Sequence, residues 1–270
     1  PRYFHGLVTS FAYEGRAEGY SQYRATLRPR FWLLTRNLDC RIFQDVTVVD
    51  IFEEVCRETH GFSDFRLDLN EQYRTRTYCV QYRESDFNFI SRLLEEEGIF
   101  YYFEHAEDKH TLVLTDANAN FPDLEGGDKD LVYRAPGEAL VDLEHISVWR
   151  AAHEVQTGAC VLDDYDFTKP RVDLEGRSSV SRSHAHAEYE AYDYPGLHWE
   201  SADGETLARL RVEEHQTKYR CFKGAGDHRN ITPGRAFNLK EYPRRSENSE
   251  YVFVSAKTTV ESAEIEQLRS

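Results

Sequence analysis

The sequence contains no methionine, no Cys-x-x-Cys pair and no apolar run near the roughly 18 residues that a membrane-spanning helix needs. Each absence removes a class of protein. No stretch of these 270 residues reads as a helical membrane anchor, and no signal peptide opens the chain. If the protein leaves the cell, a standard amino-terminal signal does not take it there. The five cysteines, Cys40, Cys56, Cys79, Cys160 and Cys221, are odd in number and widely spaced. They read as free, mostly buried thiols of a chain folded in a reducing compartment. A basic stripe is missing too: 48 Asp and Glu outweigh 33 Lys and Arg, for a net charge of −15. Nucleic acid is therefore not an expected partner. Gly-x-Ser-x-Gly, His-Glu-x-x-His and P-loop signatures are absent. Gly224-Ala225-Gly226 lacks a third glycine at Arg229 and follows a helix rather than a strand, so it fails as a dinucleotide loop. A chain that opens on Pro1 and lacks methionine is expected to be part of a longer polypeptide.

What is present is core-forming material. Hydrophobic residues make up 40% and aromatic residues 13% of a 31.6 kDa chain, enough for one large or two medium cores. The most informative stretch runs from Tyr78 to Phe103. Tyr78, Val80 and Tyr82 alternate with Cys79, Gln81 and Arg83, the pattern of a half-buried strand. Ser85 is placed to cap a helix starting at Asp86, and Phe87, Ile90, Leu93 and Leu94 form its apolar stripe. Gly98 supplies the left-handed residue that ends the helix, and Ile99 to Phe103 follows as a strand. Glu95, Glu96 and Glu97 crowd the last turn, where the helix dipole disfavours anions. They are expected to form a solvated face or to meet a partner.

The remaining chain is mostly strand-like. Residues 2–29 alternate as an antiparallel hairpin around the turn-prone EGRAEG. Phe31 to Leu34 is an apolar cluster, and Arg41 to Gln44 is extended. A helix begins near Thr47, which forms a capping box with Asp50, and buries Ile51, Phe52, Val55 and Cys56 before Gly61. Phe65, Leu67 and Leu69 alternate as a strand, and Ile99 to Thr115 reads as a hairpin. The loop from Ala117 to Gly137, with Gly126 and Gly127, is the expected domain boundary. Beyond it come strands at Leu143 to Trp149, Ala159 to Tyr165 and around Tyr189, Tyr192 and Tyr194. A surface helix is expected from Gly204 to Lys218, with Leu207 and Leu210 as its stripe and Glu205–Arg209 and Glu214–Lys218 as pairs. Ala236 to Leu239 and Tyr251 to Val260 are the last strands.

Candidate chemistry is sparse. His184, His186 and Glu188 would share one face of a strand as a divalent-metal site, with His198 as a fourth ligand. The simpler reading is a histidine-rich polar surface. Asp163, Asp164 and Asp166 would suit acid–base work or cation binding, but also read as strand-end aspartates before a turn. The aromatic load fits core and sheet packing, a sugar-binding surface or a large interface. No catalytic, cofactor-binding or metal residue is assigned, and no cofactor is expected.

The stretch YCVQYRESDFNFISRLLEEEGIFYYFEH closely resembles the most characteristic part of the VgrG family, the spike component of the bacterial type VI secretion system. Matching pieces flank it in collinear order: FHGLVTSF, YRATLRPRFWLLT, CRIFQDVTV, HTLVLTD, DYDFTKPR and YDYPG. The resemblance implies an α+β, mainly antiparallel β fold, phage tail hub-like, with two barrel-like tube domains and helical insertions. Residues 1–30 would belong to the first tube domain, 31–137 to a helix-containing inserted region, and 138–270 to the second. It further implies a non-enzymatic hub that forms a homotrimer in the full-length protein. Expected partners are the inner-tube protein, secreted effectors or adaptors, and the target membrane reached through the tip. Assembly would take place in the cytoplasm, followed by secretion without a signal peptide. Two alternatives remain open: a carbohydrate-binding or adhesive module using Tyr189 to Trp199, and a metal-dependent hydrolase using His184 and His186.

Overall fold

The computed structural model describes residues 2–17, 19–125, 129–135, 137 and 143–261. Gly126 and Gly127 of the expected boundary loop lie outside them.

The chain begins with the expected hairpin, β1 (Leu7–Ala17) against β2 (Tyr20–Arg28). Pro29, with φ fixed near its helical value, then leads into a 3-10 segment over Arg30–Arg36 that buries Phe31 and Leu34. After β3 (Asp39–Phe43) comes α1 (Val48–Glu54). Its start follows directly from local chemistry. The Thr47 hydroxyl accepts from the Asp50 N–H, while the Asp50 carboxylate accepts from the Thr47 N–H. A π-helical turn at Val55–Thr59 extends α1 and keeps Val55 and Cys56 in the core.

β4 (Phe65–Asp68), β5 (Cys79–Glu84), α2 (Asp86–Glu96), β6 (Phe100–His105) and β7 (His110–Thr115) complete the first half. Ser85 caps α2 by accepting from the Asn88 N–H, and Gly98 ends it at φ +73°. One core joins Ile51 and Phe52 of α1, Phe89, Ile90, Leu93 and Leu94 of α2, and Leu112 and Leu114 of β7. The buried stripe of α2 is thus rotated from the expected one, with Phe87 only partly buried against Phe31. Each of these large side chains contributes about 1.5–3 kcal/mol by leaving water.

The second half contains β8 (Asp130–Val132), β9 (Ile146–His153), β10 (Ala159–Leu162), β11 (Gly176–Ser179) and β12 (Glu190–Asp193). Then follow α3 (Ser201–Gln216), β13 (Arg220–Gly226), β14 (Ala236–Lys240) and β15 (Glu250–Val252). Trp149, Phe237 and Leu239 centre one core; Cys160, Leu162, Ala208 and Val212 centre another.

Three expectations here are corrected. α3 is not laid on the surface by a narrow stripe, because Leu207, Ala208 and Val212 are buried in the core with β10. Its ion pairs are Arg209–Glu213 and Arg211–Glu214; Lys218 falls beyond the last turn and cannot meet Glu214 along the helix. The final strand stops at Val252, and Val254 is solvent-exposed.

The sheets are β1-β2, β3-β5, β4-β7-β6, β11-β10-β12, β13-β9 and β15-β14-β8. Most pairings are antiparallel; β4–β7, β10–β12 and β8–β14 are parallel. The mainly β character therefore holds, but each sheet is open among the described residues, and none closes into a barrel.

Candidate assembly surface

A two-stranded ribbon is marginal in water unless another layer covers it, yet this chain displays such ribbons with apolar outer faces. In β1–β2, Tyr13 lies opposite Tyr23 and Phe11 opposite Ala25, and the Tyr23 ring contacts those of both Phe11 and Tyr13 at 5.5 Å between centroids. Phe11 remains 67% exposed. The Glu14–Arg24 ion pair also lies at the surface.

β3–β5 is more informative because its alternation is inverted. Cys79 and Gln81 face inward, whereas Tyr78, Val80 and Tyr82 face solvent, with Ile42 opposite Val80. The cause lies at the start of α2. Asp86 is fully buried and accepts from Gln81 Nε2 at 2.7 Å, Asn37 Nδ2 at 2.6 Å and Arg41. His60 Nε2 stands 2.7 Å from Oδ2, the oxygen that also accepts from Asn37. Burial alone would raise the Asp86 carboxyl, but these donors outweigh it and hold the group below the ordinary carboxylate range. Gln81 must turn inward to serve Asp86, and the period of two then sends Val80 and Tyr82 outward. Local alternation showed the two faces, but not which was inside.

The acidic end of α2 is neither simply solvated nor free to meet a neighbour. Arg76 holds Glu96 at 2.8 Å and Glu97 at 2.5 Å, and Arg74 holds Glu97 at 3.1 Å. Only Glu95 of the three is exposed. These pairs offset the unfavourable dipole end.

The histidine cluster does not gather. His184, His186 and Glu188 lie in a turn rather than a strand, so a period of two does not align them. His184 Nδ1 donates to the Ala185 carbonyl, and its ring stacks on Tyr219; the His186 ring stacks on Tyr189. His198 is buried and donates Nε2–H to the Leu174 carbonyl at 2.6 Å. Among the described residues no group of three or more His, Cys, Asp and Glu side chains is arranged to hold a metal ion. Asp164 accepts from the Leu197 N–H and Asp166 from Thr168, so both tie turns. Gly224-Ala225-Gly226 lies in β13, paired with β9. Burial pushes the Cys56 thiol up to about 12, far from a reactive thiolate.

A groove of about 950 Å³ is lined by residues of β6 and α3, among them Phe100 and Leu207, and by Glu71, Phe121, Asp203 and Phe253. A further aromatic area surrounds β12, where Tyr189, Tyr192, Tyr194 and Trp199 are exposed.

The fold, mostly β-sheet with few helices, is phage tail hub-like. The chain shares it with an Escherichia coli component of the type VI secretion system described as similar to the T4 bacteriophage tail proteins gp27 and gp5 (TM-score 0.64, 22% identity, 89% of this chain and 52% of the other). A tail protein from Neisseria meningitidis MC58 has the same architecture (TM-score 0.57, 11% identity, 87% of this chain and 69% of the other). The phage tail baseplate hub (GPD) family matches residues 1–264, and the chain belongs to that family. Its relatives include the Pseudomonas aeruginosa type VI secretion system spike proteins VgrG1c and VgrG1a. VgrG1c is 46% identical over 259 residues, covering 96% of this chain and 35% of the relative. VgrG1a is 44% identical over 259 residues, covering 96% of this chain and 40% of the relative. The chain thus spans well under half the length of the curated relatives it matches.

Proposed function

We propose that this chain is the hub-building part of a type VI secretion spike protein, a structural element without bond chemistry of its own. The observation that carries the reading is collinear similarity to VgrG spike proteins over 96% of the chain. The exposed ribbons supply the surface such a role needs. The outer faces of β1–β2 and β3–β5 would be covered by other copies of the chain in a homotrimer. Open sheets pooled in that way would form two barrel-like tube domains, the amino-terminal hairpin contributing to the first and the carboxy-terminal half to the second. The ring would dock on the inner tube, carry the puncturing tip together with effectors or adaptors, and leave the cytoplasm when the machine fires.

Deleting the full-length gene is expected to stop export of the inner-tube protein. Continued export in a genome with no second spike gene would overturn the reading. Binding on a glycan array through the β12 aromatics would favour an adhesive module instead, and stoichiometric zinc in the purified protein would favour metal chemistry.

A further inference from the structure

The β1–β2 hairpin joins the body of the protein through a narrow neck, with His5 just before β1 and Arg30 just after β2. His110, the first residue of β7, sits between them and is 5% exposed. The Arg30 backbone N–H donates to His110 Nε2 at 2.8 Å, and His110 Nδ1 lies 2.8 Å from His5 Nδ1. Accepting at Nε2 requires a lone pair there, so neutral His110 carries its proton on Nδ1 and donates it to His5. The relay runs in one direction, from Arg30 through His110 to His5. A third ring closes the neck: His105 Nδ1 lies 3.2 Å from the His5 backbone nitrogen and 3.1 Å from its carbonyl oxygen.

This relay has no place for another proton. On His110 Nε2 it would oppose the Arg30 N–H, and on His5 Nδ1 it would oppose the His110 N–H. The surroundings give little help. Arg30 faces His110 from the 3-10 segment, His5 from the amino-terminal segment and His105 from β6, and all three disfavour a charge there. Asp64, from the approach to β4, is the acid acting in the other direction. Arg2 and His5 face His105.

We propose that His110, seated between His5 and Arg30, is a clamp that holds the β1–β2 hairpin only while the His110 ring is neutral, so that acid releases the hairpin from the body. This rests on the reading of the hairpin face as an assembly surface, whose presentation the clamp would regulate. Burial, then the neighbouring His5, hold His110 below the ordinary histidine range, and burial does the same for His105. A histidine depressed in the closed state binds fewer protons there than in the released state. The clamp is therefore fully set above about pH 6.5 and weakens as pH falls from there toward the depressed value of His110.

The test is hydrogen–deuterium exchange of the full 270-residue chain at about pH 7.5 and about pH 5, corrected for intrinsic exchange rates. Protection of Val8 to Leu27 is expected to fall at the lower pH, by at most about thirtyfold for one ring titrating below about pH 6.5, while Phe89 to Leu94 stays protected. In His110→Gln, a side-chain carbonyl can still accept from Arg30 but cannot be charged, and the hairpin is expected to lose the part of its pH response that His110 carries, leaving a smaller response than in wild type. If that variant does not fold, side-chain nitrogen NMR of the wild type decides. His110 should be the Nδ1–H tautomer at neutral pH, and its protonation should coincide with loss of cross-strand contacts in the hairpin. Unchanged protection at low pH, a wild-type response in a folded His110→Gln, or an Nε2–H tautomer each overturns the clamp. None of these measurements reads assembly, so their failure and failure of the secretion test remain distinct.

Discussion

Leu210 Cδ2 stands 2.5 Å from the point where a β-carbon on Gly98 would lie, so the end of α2 meets α3 with no room for a side chain between them. The backbone there is also left-handed, at φ +73°.

Gly98→Ala is expected to lower stability by about 1–2 kcal/mol, mostly from the left-handed backbone, because the Leu210 methyl can move aside. Gly234→Ala, at φ +78°, should cost about 3 kcal/mol or more, since its β-carbon would fall on the stiff Tyr102 ring. Urea midpoints at unchanged slope measure both. Equal losses would show that the ring yields as readily as the leucine.

Asp86→Ala removes the fully buried acceptor that Arg41, Gln81 and Asn37 share, and a loss of about 3–5 kcal/mol is expected. The same carboxylate sets a pH dependence. Its folded pKa is depressed, so its stabilisation is present above the unfolded value of about 3.9 and is lost as pH falls through the folded value. Acid unfolding of wild type and Asp86→Asn should therefore differ in slope below about pH 4. Parallel curves would show that Asp86 does not carry this linkage.

Arg76→Ala leaves Glu96 to Arg92 and Glu97 to Arg74 at the negative end of α2, and about 2–4 kcal/mol should be lost. Arg76→Lys should recover only part of this, because one ammonium cannot replace a fork that meets two carboxylates. Full recovery by lysine would show that charge alone matters.

Ile42→Lys and Tyr82→Lys change residues that face solvent on β3–β5. The isolated chain should shift by no more than about 0.5–1 kcal/mol. In the full-length protein, sedimentation should show loss of the oligomer. An unchanged oligomer would remove this ribbon from the proposed contact surface.

Local signals were legible in the sequence where neighbours along the chain decide the structure. Thr47 with Asp50, Ser85 and Gly98 mark helix ends through bonds to residues at most a few positions away. What escaped was settled across long separations. The orientation of β5 depends on Asp86 accepting from side chains on separate elements, including Asn37 and Arg41. The acidic end of α2 depends on Arg74 and Arg76, which precede the helix and are tied to it only by folding. His5 and His110 are 105 residues apart, and no local spacing joins them. The aromatic load was ambiguous for the same reason: composition cannot divide Phe52 of the core from Phe11 of the exposed ribbon.

The pairing of β8 with β14 sets an order of events during synthesis. The first core is complete once Leu114 has emerged, and its strands and helices are near neighbours in the chain. The Asn238–Asp130 side-chain contact, by contrast, spans 108 residues. β8 therefore precedes its partner β14 by about a hundred residues, and pairing over such a distance is intrinsically slow. During that interval Leu131, fully buried in the finished sheet, lacks β14 beside it, so slowed translation between these strands would lengthen the chain's exposure to aggregation.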